Sequence, residues 1–174
     1  RMIVGYHDKV SGKYLPLTRI SNTVDIVAPQ YLHLADNVFI GHYNLIEASN
    51  GIIIEEGCQI SNYISILTHS SHHALRLYGA HYTKFQGKHH GYIRGKVVIG
   101  KYTFIGPHSV IMPGSTIGKG SIISAYSLVK GTFPDFAIIA GNPAQVVGDT
   151  RNLDKQYLNK HPELMEYYKQ WTQD

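Results

Sequence analysis

The sequence predicts an all-β solenoid of short parallel strands, and three observations lead there. In "VVIGKYTFIGPHSVIMPGSTIGKGSIISAYSLV", Val97 to Val129, a large aliphatic residue recurs every six positions at Ile99, Ile105, Ile111, Ile117, Ile123 and Val129. Four residues after each of the first five stands a small hydroxyl residue, Thr103, Ser109, Ser115, Ser121 and Ser127, while Gly100, Gly106 and Gly118 directly follow three of the anchors. The same period appears earlier, as Ile20, Ile26 and Leu32, then Leu34, Ile40 and Ile46, then Ile54, Ile60 and Ile66, with a two-residue reset between the runs. A helical face returns every three or four residues and a strand face every two, so a period of six marks a chain that turns a corner at each step.

Each hexamer supplies one short strand and one turn, the aliphatic residue filling the interior and the small residue fitting near a corner. Three sides make a coil, so Ile99 to Thr116 is one turn of the spiral. No coil can bury its interior alone, and neighbouring coils therefore stack with their backbones paired in parallel. A sandwich of irregular strands would have to imitate five consecutive steps of six. The dipeptide Asn50-Gly51, which in isolation reads as a hairpin turn, here belongs to the shift of register between Ile46 and Ile54.

Residues 68–96, "THSSHHALRLYGAHYTKFQGKHHGYIRGK", have neither the period nor a clear helix. An excursion of that length from a regular scaffold is a candidate lid or binding arm. Tyr78, Tyr82, Phe85 and Tyr92 predict that it packs on something. The tail, residues 149–174, carries Leu153, Tyr157, Leu158, Leu164, Tyr167, Tyr168 and Trp171, and Pro162 marks the start of a short helix from about Glu163. One or two helices there would cover an open end or side of the solenoid. Residues 1–148 are thus read as the solenoid domain with its insertion.

Composition narrows the functions. The formal charge of +4 favours an anionic partner or substrate, yet no arginine cluster or basic run marks a nucleic-acid face. Cys58 is the single cysteine, which excludes an intrachain disulfide and a thiolate cage for a metal. No apolar stretch is long enough to span a bilayer, and the first residues lack the core of a signal peptide, so a cytoplasmic location is expected.

These repeats, with "IGPHSVIMPGSTIG" and "AIIAGNPAQVV" at Ala137 to Val147, resemble the hexapeptide-repeat acyltransferases. The subgroup most similar is that of the maltose, galactoside and nodulation-factor acetyltransferases and the polysaccharide O-acetyltransferases. The resemblance covers roughly residues 18–148 and implies a left-handed parallel β-helix, although parallel crossovers are otherwise right-handed. It also implies a homotrimer with active sites between subunits, and acetyl-coenzyme A as acyl donor to a hydroxyl or amine.

On that reading His69, which follows Ile66 by three positions at the point where the insertion departs, is the general base. Its orienting partner is Asn44 or Glu47. His42 stands in "IGHYNLIEAS" where the family has a carboxamide, and is assigned to the acceptor with His72, Arg76, Tyr78, Tyr82 and Tyr92 of the insertion. Gly106 or Ser124 offers a turn for close approach of the coenzyme and a backbone donor for the oxyanion. Ala125, Lys130, Asn142 and Pro143 are assigned to the coenzyme by the resemblance, with Lys119 or Arg151 on phosphate. The favoured reaction is O-acetylation of a sugar or polysaccharide precursor by direct transfer, without an acyl-enzyme and without a metal. The alternatives are N-acetylation of an amino sugar, a γ-class carbonic-anhydrase-like metalloenzyme using His33, His69 and His73, and a noncatalytic saccharide-binding scaffold.

Overall fold

A computed structural model describes residues 1–174. The six-residue period becomes a three-sided, left-handed parallel β-helix. Face A carries Phe39–Ile40, Gln59–Ile60, Phe104–Ile105 and Ile122–Ile123; face B carries Asp25–Val27, Leu45–Glu47, Ser65–Ile66, Val110–Ile111 and Leu128–Val129. Face C carries Leu32–Leu34, Ile52–Ile54, Val97–Ile99, Thr116–Ile117 and Thr132–Phe133. Anchors pair with anchors: Ile99 with Ile117, Ile105 with Ile123 and Ile111 with Val129. From Leu32 to Ile66 the corresponding partners lie further apart in sequence, as in Leu32 with Ile52 and Ile46 with Ile66.

The resets have a geometric cause. Face C strands in the early coils are three residues long, so Leu32 and Leu34, Ile52 and Ile54, and Val97 and Ile99 all point inward, while His33, Ile53 and Val98 between them face outward. Ile40, Ile46, Ile60, Ile66, Ile99, Ile105, Ile111 and Ile123 are fully buried in one continuous core. The small residues take the corners. Thr103, Ser109 and Ser127 are buried, and their hydroxyls donate to the carbonyls of Gly118, Ser124 and Ser124 at 3.2, 3.1 and 2.6 Å. Ser109→Ala leaves a coil-to-coil bond unmade, and is expected to cost about 1 kcal/mol in denaturant unfolding.

Turns between faces A and B need a left-handed residue, and Tyr43, Tyr63, His108 and Tyr126 supply it with φ of 57–60°. Their rings stack into a column across four coils, with centroids 5.1, 4.9 and 4.9 Å apart. Gly106, in the same corner, is glycine for a different reason. A Cβ there would lie 2.5 Å from the Ala125 nitrogen of the next coil, so the backbone of its neighbour, rather than an approaching coenzyme, dictates the residue.

Antiparallel hairpins close both ends of face A. Met2–His7 pairs with Tyr14–Ser21 at one end and Ala137–Gly141 with Ala144–Asp149 at the other, so that antiparallel strands, rather than the repeating coils, form the two edges of the widest sheet. The tail forms two α-helices, Thr150–Lys160 and Met165–Thr172, joined by a short 3-10 turn at Pro162–Leu164; the second, with that turn, is the short helix expected from about Glu163, and the first precedes it. Trp171 packs on Tyr102 and Phe136 at the corner between faces C and A.

The insertion leaves after face B and returns to face C. It is more ordered than its lack of period suggests. His69–Ser70 pairs antiparallel with Ile93–Arg94, tying its two ends together, and a one-turn helix spans Ala74–Tyr78. No helix of the protein is long and apolar enough to cross a membrane.

Candidate active site

The corner between faces B and C gathers the chemistry. Glu47 ends a face B strand, and one coil later Thr68 and His69 stand where the chain would turn into face C. Parallel stacking therefore brings residues 47 and 69 together. Glu47 Oε2 lies 2.7 Å from His69 Nδ1. The carboxylate is buried and held on both oxygens: Oε1 accepts from the Ser49 amide at 2.9 Å, and Oε2 accepts from the Thr68 amide at 3.1 Å and the Thr68 hydroxyl at 2.8 Å. Burial alone would raise its pKa; the hydrogen bonds from Ser49 and Thr68 outweigh burial and lower it to about 2.

A carboxylate that accepts from the ring fixes the tautomer. Nδ1 carries the proton and donates it to Glu47, so the neutral imidazole presents the lone pair of Nε2 outward. The ring plane is fixed by Tyr92, stacked nearly parallel at 5.6 Å, and the Arg94 guanidinium lies 4.3 Å over the other partner of that stack, the Tyr92 ring. His69 is about one-third exposed, enough for a substrate to reach it. An oriented imidazole of this kind can take a proton from a hydroxyl or amine and return it to a leaving group.

Beside this corner runs a groove of 660 Å³ whose walls include Tyr31, His33, Ser49, Asn50, Ile53 and Lys96. Ser49 belongs to both places, its hydroxyl lying 3.3 Å from His69 Nδ1. His33 is itself fixed by a buried acid, Asp8 Oδ2 at 3.0 Å, and Asp8 also accepts from Ser11 and from the Leu34 amide. A second hollow, of 540 Å³, lies between the tail helices against Tyr102 and Trp171, at a different corner.

Residues 96–131 match the family model of the bacterial transferase hexapeptide (six repeats). Those residues carry the repeat that the family model describes. The fold of the chain is similar to that of AntD, an N-acyltransferase from Bacillus cereus in complex with dTDP and 3-hydroxybutyryl-CoA, at 21% identity and a TM-score of 0.63, covering 82% of this chain and 87% of that one. It is also similar to a maltose O-acetyltransferase from Clostridium difficile 630, at 22% identity and a TM-score of 0.64, covering 75% of this chain and 65% of that one. A hexapeptide-repeat-containing acetyltransferase from Vibrio cholerae O1 biovar eltor, complexed with acetyl-coenzyme A, matches at 20% identity and a TM-score of 0.65 over 76% of this chain and 67% of that one. Among curated proteins none matches by sequence.

The residues expected at the site are sorted by corner. Glu47 is the partner of His69, and Asn44 is not. Asn44 is buried at the preceding corner, where its amide donates to the Gly41 and Ser61 carbonyls at 3.1 and 2.7 Å and its oxygen accepts from the Ile64 amide at 2.7 Å. Both polar atoms of its side chain are thus bonded, within its own turn and to the next coil. His42 shares that corner and contacts the Ser21 hydroxyl at 2.7 Å, one strand away from the acceptor role expected of it.

Within the insertion, Tyr78 and Tyr82 turn to His89, at ring distances of 4.7 and 4.4 Å, and Phe85 completes this small cluster. They hold the insertion together instead of offering faces to a sugar. Tyr92 is likewise engaged, by His69 and by Arg94. His72 and Arg76 remain at the surface, Arg76 donating to the His72 carbonyl at 2.6 Å. Desolvation, then the charges of His73, Lys130 and Arg76, lower the pKa of His72, so Lys130 stands with the insertion rather than with the other residues assigned to the coenzyme.

Those others separate as well. Ser124 and Ala125 lie at the corner between faces A and B, and the exposed turn at Asn142 and Pro143 follows the last face A strand there. Lys119 and Arg151 sit at the corner between faces C and A. The Lys119 ammonium donates to the Thr172 and Asp174 carbonyls at 3.3 and 2.6 Å, and Arg151 pairs with Asp149 at 2.6 Å while covering Phe136. Both are occupied in fastening the tail. No three His, Cys, Asp or Glu side chains converge as a metal site would require, and His33, His69 and His73 are accordingly apart. Sequence reasoning misses Thr68 and Ser49. Their only signal is a hydroxyl residue immediately before the histidine and another two residues after the acid.

Proposed function

We propose that the protein is an acetyl-coenzyme A-dependent O-acetyltransferase acting on a hydroxyl of a sugar or polysaccharide precursor. The observation that carries this reading is the His69–Glu47 pair at 2.7 Å, set at a corner of a three-sided β-helix beside a groove whose wall includes Ser49, a neighbour of both residues. The fold's likeness to acyltransferases that bind coenzyme A or acetyl-coenzyme A supports the donor, and the maltose O-acetyltransferase among them supports the acceptor class.

In the reaction, Nε2 of His69 takes the proton of the acceptor hydroxyl as its oxygen attacks the thioester carbonyl. The imidazolium that forms faces the ionised Glu47, which stabilises it. As the tetrahedral carbon collapses, the carbon–sulfur bond breaks and the proton passes from His69 to the departing thiolate. No acyl-enzyme is needed. Ser124, Ala125, Asn142 and Pro143, which share one side of the helix, are the coenzyme contacts in this reading; a homotrimer would bring that side of one subunit to the His69 corner of another.

The test is an acceptor screen with acetyl-coenzyme A, reading free thiol and product mass, with amino sugars beside neutral and acidic sugars. Thiol release that requires a hydroxyl acceptor supports the proposal. Acetylation confined to amines, or no acceptor-dependent release across the panel, sinks it.

A further inference from the structure

The positive charge of the protein is concentrated at one place. Residues 68–96 hold Arg76, Lys84, Lys88, Arg94 and Lys96, six of the 11 histidines, and no Asp or Glu. The remainder of the chain therefore has 11 Lys and Arg against all 12 acids, so the net +4 belongs to the insertion. None of these five cations is in a salt bridge, and all five are exposed. A surface that only has to stay in solution mixes its signs; a field of one sign repels itself and needs a counter-charge.

Two of these cations adjoin the corner that holds His69. Arg94 is the strand partner of His69 and lies over the Tyr92 ring that stacks on it. Lys96 lines the groove with His33 and Ser49. Arg76, also in the insertion, is held by the His72 carbonyl and by His73 Nδ1 at 3.2 Å and is exposed. The one acid at the corner, Glu47, is buried and already saturated with donors.

We propose that the insertion is an electropositive arm for an anionic acceptor: an oligosaccharide with a carboxylate or phosphate on its repeating units, which Arg76, Arg94 and Lys96 hold so that a hydroxyl meets Nε2 of His69. This rests on the acyl-transfer reading given above. A saccharide is favoured over nucleic acid because Tyr78, Tyr82 and Tyr92 are spent on His89 and His69, leaving no row of free rings within the insertion on which bases would stack.

The experiment measures binding without acetyl-coenzyme A, so that it is independent of turnover. Calorimetric titration would use oligogalacturonate for the carboxylate arm, poly(glycerol phosphate) for the phosphate arm, maltooligosaccharide as the neutral control and oligo(dT) as the nucleic-acid control. One of the two anionic polymers is expected to bind, more weakly as salt rises past about 0.15 M, where charges are screened beyond roughly 8 Å. Arg76→Ala, Arg94→Ala and Lys96→Ala combined should weaken it roughly tenfold or more, each exposed ionic contact contributing up to about a factor of five. Lys9→Ala with Lys155→Ala, outside the insertion, should leave it unchanged, with circular dichroism confirming the fold of both variants. Binding that is absent, equal for the neutral polymer, stronger for oligo(dT), or indifferent to the triple substitution overturns the proposal. Binding as expected with no acetyl transfer to any acceptor instead removes the catalytic reading and leaves the arm.

Discussion

His69→Ala is expected to lower acceptor-dependent acetyl transfer by about 10²–10⁴-fold, the usual contribution of a positioned general base. The loss should fall on kcat, with the Michaelis constant for acetyl-coenzyme A little changed, since the ring in this reading meets the acceptor's proton and not the coenzyme. Stability should scarcely move: His69 is partly exposed, and its side chain bonds only Glu47 and Ser49. A fully active, folded His69→Ala protein would remove the imidazole from the chemistry. Glu47→Gln is expected to act on the same step from behind. An amide facing Nδ1 can donate, which moves the ring proton to Nε2 and takes away the base. Glu47→Asp, which restores a carboxylate, should recover part of the rate.

Glu47→Gln also carries the largest expected effect on stability. The folded carboxyl titrates near 2, against 4.5 for a glutamate free in solution. A depressed acid stabilises the fold above its unfolded pKa and loses that contribution as pH falls, so the window here runs from about 4.5 down to about 2. Across that window the unfolded chain binds the proton first. At neutral pH the carboxylate contributes on the order of 3 kcal/mol, since a tenfold difference in proton affinity between the folded and unfolded chain is worth about 1.4 kcal/mol. Denaturant unfolding at a series of pH values should show parent stability falling through this range, and the variant should be weaker at neutral pH with a flatter acid limb. An unchanged acid slope in the variant would show that other carboxylates set it.

The corner explains which parts of the site are legible. His69 stands out in the sequence because it follows the last anchor before the period is lost, and Glu47 because it ends a hexamer one coil earlier. Their contact follows from register, through Ile46 pairing with Ile66. Choosing Glu47 over Asn44 requires the corners themselves: a shift of three residues moves a side chain from one corner of the triangle to the next, and Asn44 turns inward to bind three backbone groups. The same geometry separates Lys119 and Arg151 from Ser124 and Ala125. Spacing along a hexamer says that a residue is at a corner, but the groups that compete for it, such as the Thr172 and Asp174 carbonyls for Lys119, come from the far end of the chain.

The insertion shows the opposite case. It has no period, so nothing in its pattern indicates that Tyr78 and Tyr82 close on His89, or that Tyr92 comes back across the loop to stack on His69. By itself the sequence determined the solenoid, its three faces, the positions of its anchors and the residue at which the repeat breaks, because burial of one aliphatic side chain per hexamer is a local, repeated constraint. The tertiary structure alone decided which carboxylate fixes the imidazole, which cations stay with solvent and which aromatics are already spent, since each of those outcomes depends on partners brought together across coils rather than along the chain.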